Sequence, residues 1–318
     1  MMRLTLAACL VCGAIGTPLA ALQPAPTPSA RKVRVAAVAV DRDGKPAADL
    51  RPSELELWIG IYQVPIESVT FVSPSAGQGR FIVLILDDAT IGDLGDPAMG
   101  LRIKEAARTF VTRMGPGDVM SIVGLDGGFG KPTNDRAALL QAIERYSPLG
   151  RPRIWFDRIG DHVLQSLGGI ARGLVELPGR KVIVGIGAGW LFDTPVPPPS
   201  IGPDLRPEWI AAVRSMAAAD ATLYVIDPAG VGRAPFATAG SSGFARETGG
   251  HAFTNTNDVT RAVERIMAES STYYVLEASD PPIGKNAELR EVDVRVSRKD
   301  VTVRARKWIA GGKTVVSR

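Results

Sequence analysis

The feature that most constrains the fold is a series of four apolar segments separated by stretches with helical character. The apolar segments are FIVLILDD, VMSIVGLD, RKVIVGIGAG and TLYVID. After the first of these segments, apolar residues recur at helical spacing, at Met99, Ile103, Ala106, Phe110 and Met114. Strands that alternate with helices pair in parallel, because each helix returns the chain to the same edge of the sheet. The sequence therefore predicts a Rossmann-like α/β domain at 79–271, with a mostly parallel sheet and helices on both faces.

The two ends of this sequence have a different pattern, in which apolar and polar residues alternate. Residues 32–75 contain VRVAAVAV, followed by the turn sequence DRDGK. Residues 272–310 contain TYYVLEA, REVDVRVSR and VTVRARKWI. Alternation with a period of two is typical of strands that have one buried face. We expect a small β arm at 32–75 that packs with C-terminal strands at 272–310.

The first residues have the pattern of an export signal. Arg3 precedes a short apolar core and a stretch of small residues. We expect a signal peptide at 1–21, with cleavage near Ala20, and a Pro-rich spacer at 22–31. An alternative is a lipoprotein, because the residues that precede Cys9 resemble a lipobox.

Cysteine usage bears on the compartment. Both cysteines, Cys9 and Cys12, lie inside the predicted signal peptide. The mature chain would then form no disulfide and no thiolate metal site, and would have no cysteine nucleophile. Export without disulfides suits a bacterial periplasmic or secreted protein whose core is large enough to fold unaided.

Charge and hydropathy argue against two classes of partner. The net charge is only +4, and the cationic residues are spread along the chain. A nucleic-acid-binding protein needs a dense basic surface, so we expect no nucleic acid partner. We also expect no membrane span, because no apolar run is long enough to cross a bilayer.

A set of short motifs occurs in a recognisable order. The matching stretches are 41–54, 115–118, 177–184, 247–253 and 273–306. This order resembles the VWFA-related domain family of secreted bacterial proteins, over nearly the whole mature chain. The resemblance implies a von Willebrand factor A-like fold flanked by β segments. We predict a non-enzymatic role in protein–protein interaction, with an unknown protein as partner.

The resemblance also bears on metal binding. Members of the wider class often carry a metal-ion-dependent adhesion site with a first loop D-x-S-x-S, and with a Thr and an Asp in later loops. Residues 87–91 keep the aspartate but have Ala89 and Ile91 at the serine positions. The second loop, expected at 151–161, lacks threonine and serine, and the third has Ala188. The resemblance implies a non-functional site and no resident cofactor. The remaining candidate ligands are Asp87, Asp88 and Asp93.

An alternative keeps the metal. A non-standard set of oxygen ligands could hold Mg²⁺ or, with its looser geometry, Ca²⁺. Its members would be Asp87, Asp88, Asp93 and Thr90. The other interpretation of Asp93 is a capping aspartate in a turn before the next helix.

Aromatic residues suggest where a partner would bind. Trp155 and Phe156 fall in one predicted loop at the carboxyl edge of the sheet, and Trp190 and Phe192 fall in another. Tryptophan is a frequent interface anchor, so we predict these four residues as partner-binding candidates. The alternative is that the Pro-rich loop after Trp190 folds back and buries this side chain on Trp155.

Other functional patterns are incomplete. The glycines at 185, 187 and 189 run into a Pro-rich loop, whereas a dinucleotide fingerprint opens a helix. The sequence contains no G-x-S-x-G nucleophile elbow whose serine His162 or His251 could activate. We therefore predict no catalytic residues, with both histidines at the surface or half-buried. A structural cell-envelope protein that pairs through its edge strands is a further alternative.

Overall fold

The structure, a computed structural model, describes residues 32–74, 79–89, 97–125, 130–147, 156–187, 190, 204–232, 236–281 and 289–310. The predicted signal peptide and the Pro-rich spacer lie outside the described residues. The helices are α1 (Pro97–Thr112), α2 (Arg136–Arg145), α3 (Phe156–Leu174), α4 (Arg206–Ala219), α5 (Phe236–Glu247) and α6 (Val259–Ser271), and a short 3₁₀ turn spans Pro52–Glu54.

The strands form three sheets. They are β1 (Lys32–Asp41), β2 (Leu55–Ile59), β3 (Tyr62–Val64), β4 (Ile66–Val72), β5 (Arg80–Leu86), β6 (Val119–Gly124), β7 (Arg180–Ile186), β8 (Ala221–Ile226), β9 (Ala252–Phe253), β10 (Tyr273–Ser279), β11 (Leu289–Val296), β12 (Val301–Ala305) and β13 (Trp308–Ala310). One sheet is parallel, with the order β6-β5-β7-β8-β9. The others are antiparallel, with the orders β12-β1-β10-β4 and β13-β11-β2-β3.

The parallel sheet is buried on both faces, which explains its continuous apolar strands. Along β5, Val83 and Ile85 enter a core cluster with α3, α4 and α5. The alternate residues Ile82 and Leu84 enter a second cluster with α1, α2 and α6. The predicted α/β fold class, a mostly parallel sheet with helices on both faces, is confirmed.

The two antiparallel sheets share a third core cluster. Strand β1 pairs with β10 and β12, and β2 pairs with β11, so strands near the start of the described chain pair with strands near its end. Val35 and Leu276 from one sheet and Leu57 and Val292 from the other belong to the same cluster. Apolar residues on alternate positions meet between the sheets, while the polar positions face outward.

Two local assignments from the sequence were wrong. Residues 156–161 were expected in a loop, but α3 begins at Phe156. Helix α5 was not predicted, because its sequence FATAGSSGFARE is rich in glycine and serine, which are poor helix formers. The helix forms nonetheless where Phe244 and Ala245 are fully buried in the first core cluster. Tertiary packing outweighs local propensity here.

A buried ion pair joins the amino ends of the parallel strands to α6. The guanidinium of Arg80 donates to both carboxylate oxygens of Asp118, over 3.0 and 2.5 Å. Its remaining nitrogen donates to the carbonyl of Met267 and the hydroxyl of Ser270, both over 2.8 Å. Asp118 also accepts the N–H of Gly115, over 2.8 Å. The turn GPGD is therefore part of the core and not only a helix stop.

Within the described residues, no helix combines the length and the apolar character needed to cross a membrane.

Candidate functional site

The strand order places a crevice between β5 and β7. Helix α1 follows β5 and packs on one face of the sheet, and α4 follows β7 and packs on the other. In sheets of this kind ligands bind where the direction of the helical crossovers reverses, outside the carboxyl ends of the strands. Asp87 and Gly187 are the first residues beyond β5 and β7. This edge, which we call the carboxyl edge, is the candidate site.

Asp87 lies inside the molecule at this edge, with a side chain that is 0 % exposed. Its N–H donates to the carbonyl of Ile186, over 3.1 Å. A Cβ atom on Gly187 would lie 2.4 Å from Oδ2 of Asp87, which is far inside van der Waals contact. The hydroxyl of Tyr146 donates to the Asp87 carbonyl, over 2.5 Å. The side chain of Asp87 therefore packs against the end of β7, and its backbone carbonyl is bound by Tyr146, the residue that follows α2.

The side chain of Asp88 points toward β6, the strand on the other side of β5. Its Oδ1 accepts the N–H of Leu125, over 2.8 Å, at the end of β6. A Cβ atom on Gly124 would lie 2.3 Å from Oδ2 of Asp88. The adjacent Ala89 is partly buried against the first core cluster. The two aspartates therefore diverge, one toward β7 and one toward β6.

Tyr146 lies close to both carboxylates. Its pKa is raised, first by burial and then by the negative charges of Asp87 and Asp88. The phenol accordingly keeps its proton over the whole ordinary pH range and remains a hydrogen-bond donor.

A third carboxylate occupies the end of β8. Asp227 is buried, and its Oδ1 accepts the N–H of Ala229, over 2.9 Å. Its own N–H donates to the carbonyl of Phe253, over 2.9 Å, which continues the pairing with β9. A side chain that bonds to the backbone two residues on stabilises a turn.

The described carboxylates at this edge do not form a cluster of metal ligands. Within the described part of the chain, no three His, Cys, Asp or Glu side chains come together in a way that could hold a metal ion. Asp88 and Asp227 each use an oxygen for a backbone hydrogen bond. Asp93 and Thr90 lie outside the described residues, and the alternative ligand set stays a prediction.

The aromatic candidates have different outcomes. Trp190 is 2 % exposed and belongs to the core cluster of α3 and α4, which argues against it as a partner-binding residue and agrees with the alternative that this side chain is buried. The indole packs on Gly185, where a Cβ atom would lie 2.0 Å from Cη2. Phe156 is the first residue of α3 and not a loop residue. Its side chain, together with Trp155 and Phe192, lies outside the described residues, so these three stay predictions.

Other apolar side chains are exposed near the carboxyl edge. Leu101 in the second turn of α1 is 66 % exposed, Ile210 in the second turn of α4 is 46 % exposed, and Val231 in the loop after β8 is 61 % exposed. The sequence-based reasoning missed all three. The sequence does indicate that Leu101 is exposed, because this residue lies off the apolar helix stripe that contains Met99 and Ile103.

His251 lies just before β9 and is half-buried, as is His162 in α3. The imidazole of His251 makes an edge-on contact with Phe253, with ring centres 4.8 Å apart. Its pKa is lowered to about 4, first by burial and then by the positive charges of Arg304 and Arg265. His251 is therefore neutral at neutral pH.

Comparison with known proteins identifies similar folds only. No protein-family description matches this sequence, and no curated protein matches it. An aerotolerance-related membrane protein from Bacteroides fragilis matches with 16 % identity over 59 % of this chain and 98 % of its own, with a TM-score of 0.42.

Two further solved structures are similar to a comparable degree. Proximal thread matrix protein 1 from the mussel byssus, with a zinc-occupied MIDAS motif, matches with 14 % identity over 65 % of this chain, with a TM-score of 0.43. The match spans about half (49 %) of the mussel protein. The manganese-loaded TRAP protein of Plasmodium vivax matches with 11 % identity over 76 % of this chain and 96 % of its own, with a TM-score of 0.38. At these values the likeness carries no argument about function.

Proposed function

We propose that this chain is a protein-interaction module of von Willebrand A type, which binds its partner at the carboxyl edge of the parallel sheet. The observation that carries the proposal is the exposure of Leu101, Ile210 and Val231 on three separate elements at that edge. A partner that covered these side chains would remove their apolar surface from water, which favours association. Trp155 and Phe192, which lie outside the described residues, remain candidate anchors predicted from the sequence.

We further propose that this binding needs no resident cation. In a metal-dependent adhesion site, the partner completes the coordination shell of an ion, so the ligating carboxylate must border an accessible position. The side chain of Asp87 is instead enclosed by Gly187 and the end of β7. Asp88 is turned toward Leu125. These positions support a partner contact made by side chains alone.

The remaining parts of the proposal rest on the sequence. The predicted signal peptide supports export to the periplasm or the exterior.

A metal titration tests the cation-independent part. Thermal unfolding is measured with EDTA and with millimolar Mg²⁺ or Ca²⁺, for the wild type, for Asp88→Asn and for the matched surface variant Asp43→Asn. An ion that binds only the folded state raises the midpoint by mass action. We expect no rise in any of the three proteins. A rise in the wild type and in Asp43→Asn that Asp88→Asn abolishes would establish the metal-dependent alternative.

A cross-linking experiment tests the interaction surface. A photo-reactive amino acid replaces either Val231 at the carboxyl edge or Val175 in the loop before β7, which lies at the opposite edge and is also exposed. We expect the photo-reactive residue at position 231 to cross-link to the partner protein, with a yield that EDTA does not change. The yield of cross-linked partner from position 175 should be at most about a tenth of that. Leu101→Gln should reduce the yield from position 231. Equal yields from both positions would refute the proposed surface.

A further inference from the structure

A basic groove lies away from the carboxyl edge, where the turn after β1, helix α6 and strand β12 meet. Its volume is about 650 Å³. Five cationic and two anionic side chains line it, and the other lining residues are neutral. The charged ones are Arg42, Lys45, Arg261, Arg265, Arg304, Asp41 and Asp43.

The ion pairs of the groove leave part of its positive charge unbalanced. Arg42 pairs with Asp300, over 2.5 Å. Arg265 and Arg304 share a single oxygen of the buried Glu269, over 2.8 and 2.5 Å. One carboxylate thus serves two guanidinium groups, and the Nε of Arg304 and the Oε2 of Glu269 are both buried without a hydrogen bond in the described structure.

Two further cations of the groove are exposed. Lys45 and Arg261 make no ion pair with any residue that the structure describes. Of the two acids in the groove, Asp41 directs Oδ1 to the N–H groups of Asp43 and Lys45, over 2.9 and 2.8 Å, and so shapes the turn. Asp43, the other acid, is exposed as well, and Lys45 and Arg261 are the exposed cations of the groove without an ion pair in the described structure.

The backbone brings these cations together. Arg261 and Arg265 lie one turn apart on α6, and like charges at this spacing repel each other. The turn after β1 closes over them at Gly44, where a Cβ atom would lie 3.2 Å from the guanidinium carbon of Arg265. Gly44 has φ +77°, a conformation that glycine adopts without strain. The close approach therefore depends on a glycine at this position.

The lowered pKa of His251 agrees with the positive charge of this groove. After burial, the largest causes of its lowered pKa are the charges of Arg304 and Arg265. Both arginines line the groove, and Arg265 also lies over the ring of Phe253, 5.7 Å from its centre. An anion placed between these arginines would offset the field that His251 experiences.

We propose that this groove binds the phosphate group of an anionic ligand, with Lys45 and Arg261 as its direct contacts and Arg265 and Arg304 as the charged floor. A tetrahedral oxyanion accepts hydrogen bonds from several directions at once. Guanidinium groups on α6 and β12 and an ammonium group on the turn approach it from three elements. The phosphate could belong to a free ion or to a phospholipid headgroup.

The test measures phosphate binding by the whole purified chain at constant ionic strength, with chloride as the reference anion. We expect saturable binding of inorganic phosphate by calorimetry, weakened at least tenfold in Lys45→Gln/Arg261→Gln. The matched control Lys131→Gln/Arg145→Gln removes the same charge from exposed positions outside the groove. It should bind like the wild type. Equal weakening in both variants, or no saturable binding of phosphate and no vesicle binding, would overturn the proposal.

Two further readouts separate a specific site from a general charge effect. The pKa of His251, followed by NMR, should rise when phosphate replaces chloride in the wild type but not in Lys45→Gln/Arg261→Gln. Vesicles of phosphatidylcholine with phosphatidylglycerol distinguish the sources. Vesicle binding that the groove variant loses would identify a headgroup ligand, and phosphate binding without vesicle binding would identify a free anion. A His251 pKa that responds equally in both proteins would contradict the site.

Discussion

The carboxylate of Asp87 fills the space that a side chain on Gly187 would need, because a Cβ atom there would lie 2.4 Å from Oδ2. The substitution Gly187→Ala should therefore force the end of β7 away from β5. We expect it to lower the free energy of unfolding by about 1–3 kcal/mol, the usual range for overpacking a buried site. Urea unfolding followed by circular dichroism measures the change.

The matched control for this prediction is Gly169→Ala in α3. A Cβ atom at Gly169 would meet nothing closer than 3.7 Å, and alanine favours the helix by about 0.5–1 kcal/mol. This variant should be as stable as the wild type or more so. If Gly187→Ala were equally harmless, the position of the Asp87 side chain described here would be incorrect.

The buried position of Trp190 gives a second prediction. Trp190→Ala should lower the free energy of unfolding by about 3–5 kcal/mol, because it removes a large side chain from the core beside Gly185. Trp58 is the comparison, since it is only partly buried and lies under the guanidinium of Arg295, 4.6 Å from the ring centre. Trp58→Ala should cost about 1 kcal/mol. Equal losses would mean that Trp190 is not a core residue.

The ion pair of Arg80 with Asp118 predicts a pH dependence. Burial by itself would raise the pKa of Asp118, but hydrogen bonds from Arg80 and Gly115 outweigh it and hold this pKa below 3.8. The folded pKa is thus lower than the unfolded one. The resulting stability is present above the unfolded pKa and is lost as pH falls below about 4 toward the folded value.

Asp118→Asn should therefore cost about 3–5 kcal/mol at neutral pH, because it leaves Arg80 buried without its counter-charge. The variant should also lose part of its acid sensitivity, measured as unfolding free energy from pH 7 down to pH 3. Glu144→Gln is the control, because its pair with Arg108 is exposed and should cost no more than about 1 kcal/mol. An Asp118 variant as stable as this control would contradict the buried pair.

His251 predicts a separate pH effect. Its folded pKa of about 4 lies below the ordinary value of 6.5, so the unfolded chain binds the proton more readily. Stability should fall as the pH decreases from about 6.5 to about 4, and this part of the loss should be absent in His251→Gln. An NMR titration gives the pKa directly. A value near 6.5 would show that His251 is neither buried nor close to the charges of Arg304 and Arg265.

Much of the α/β architecture follows from patterns that neighbouring residues carry. The apolar run before Asp87 predicted a strand buried on both faces, and α1 and α2 followed from helical spacing and turn residues. Helix α5 could not be predicted in this way, because its glycines and serines disfavour a helix and only the burial of Phe244 and Ala245 stabilises it. Trp190 shows the same limit, since its exposure depends on whether Gly185 leaves room for the indole.

The sequence by itself therefore determined the fold class and the location of the candidate site, because strand and helix periods and the residues at strand ends are local properties. Only the tertiary structure decided which side chains remain accessible there. Burial depends on contacts between residues far apart in the chain, such as Asp87 with Gly187 and Asp88 with Gly124. These contacts bury Asp87 and turn the partly buried Asp88 toward β6, while packing leaves Leu101 and Val231 exposed to solvent.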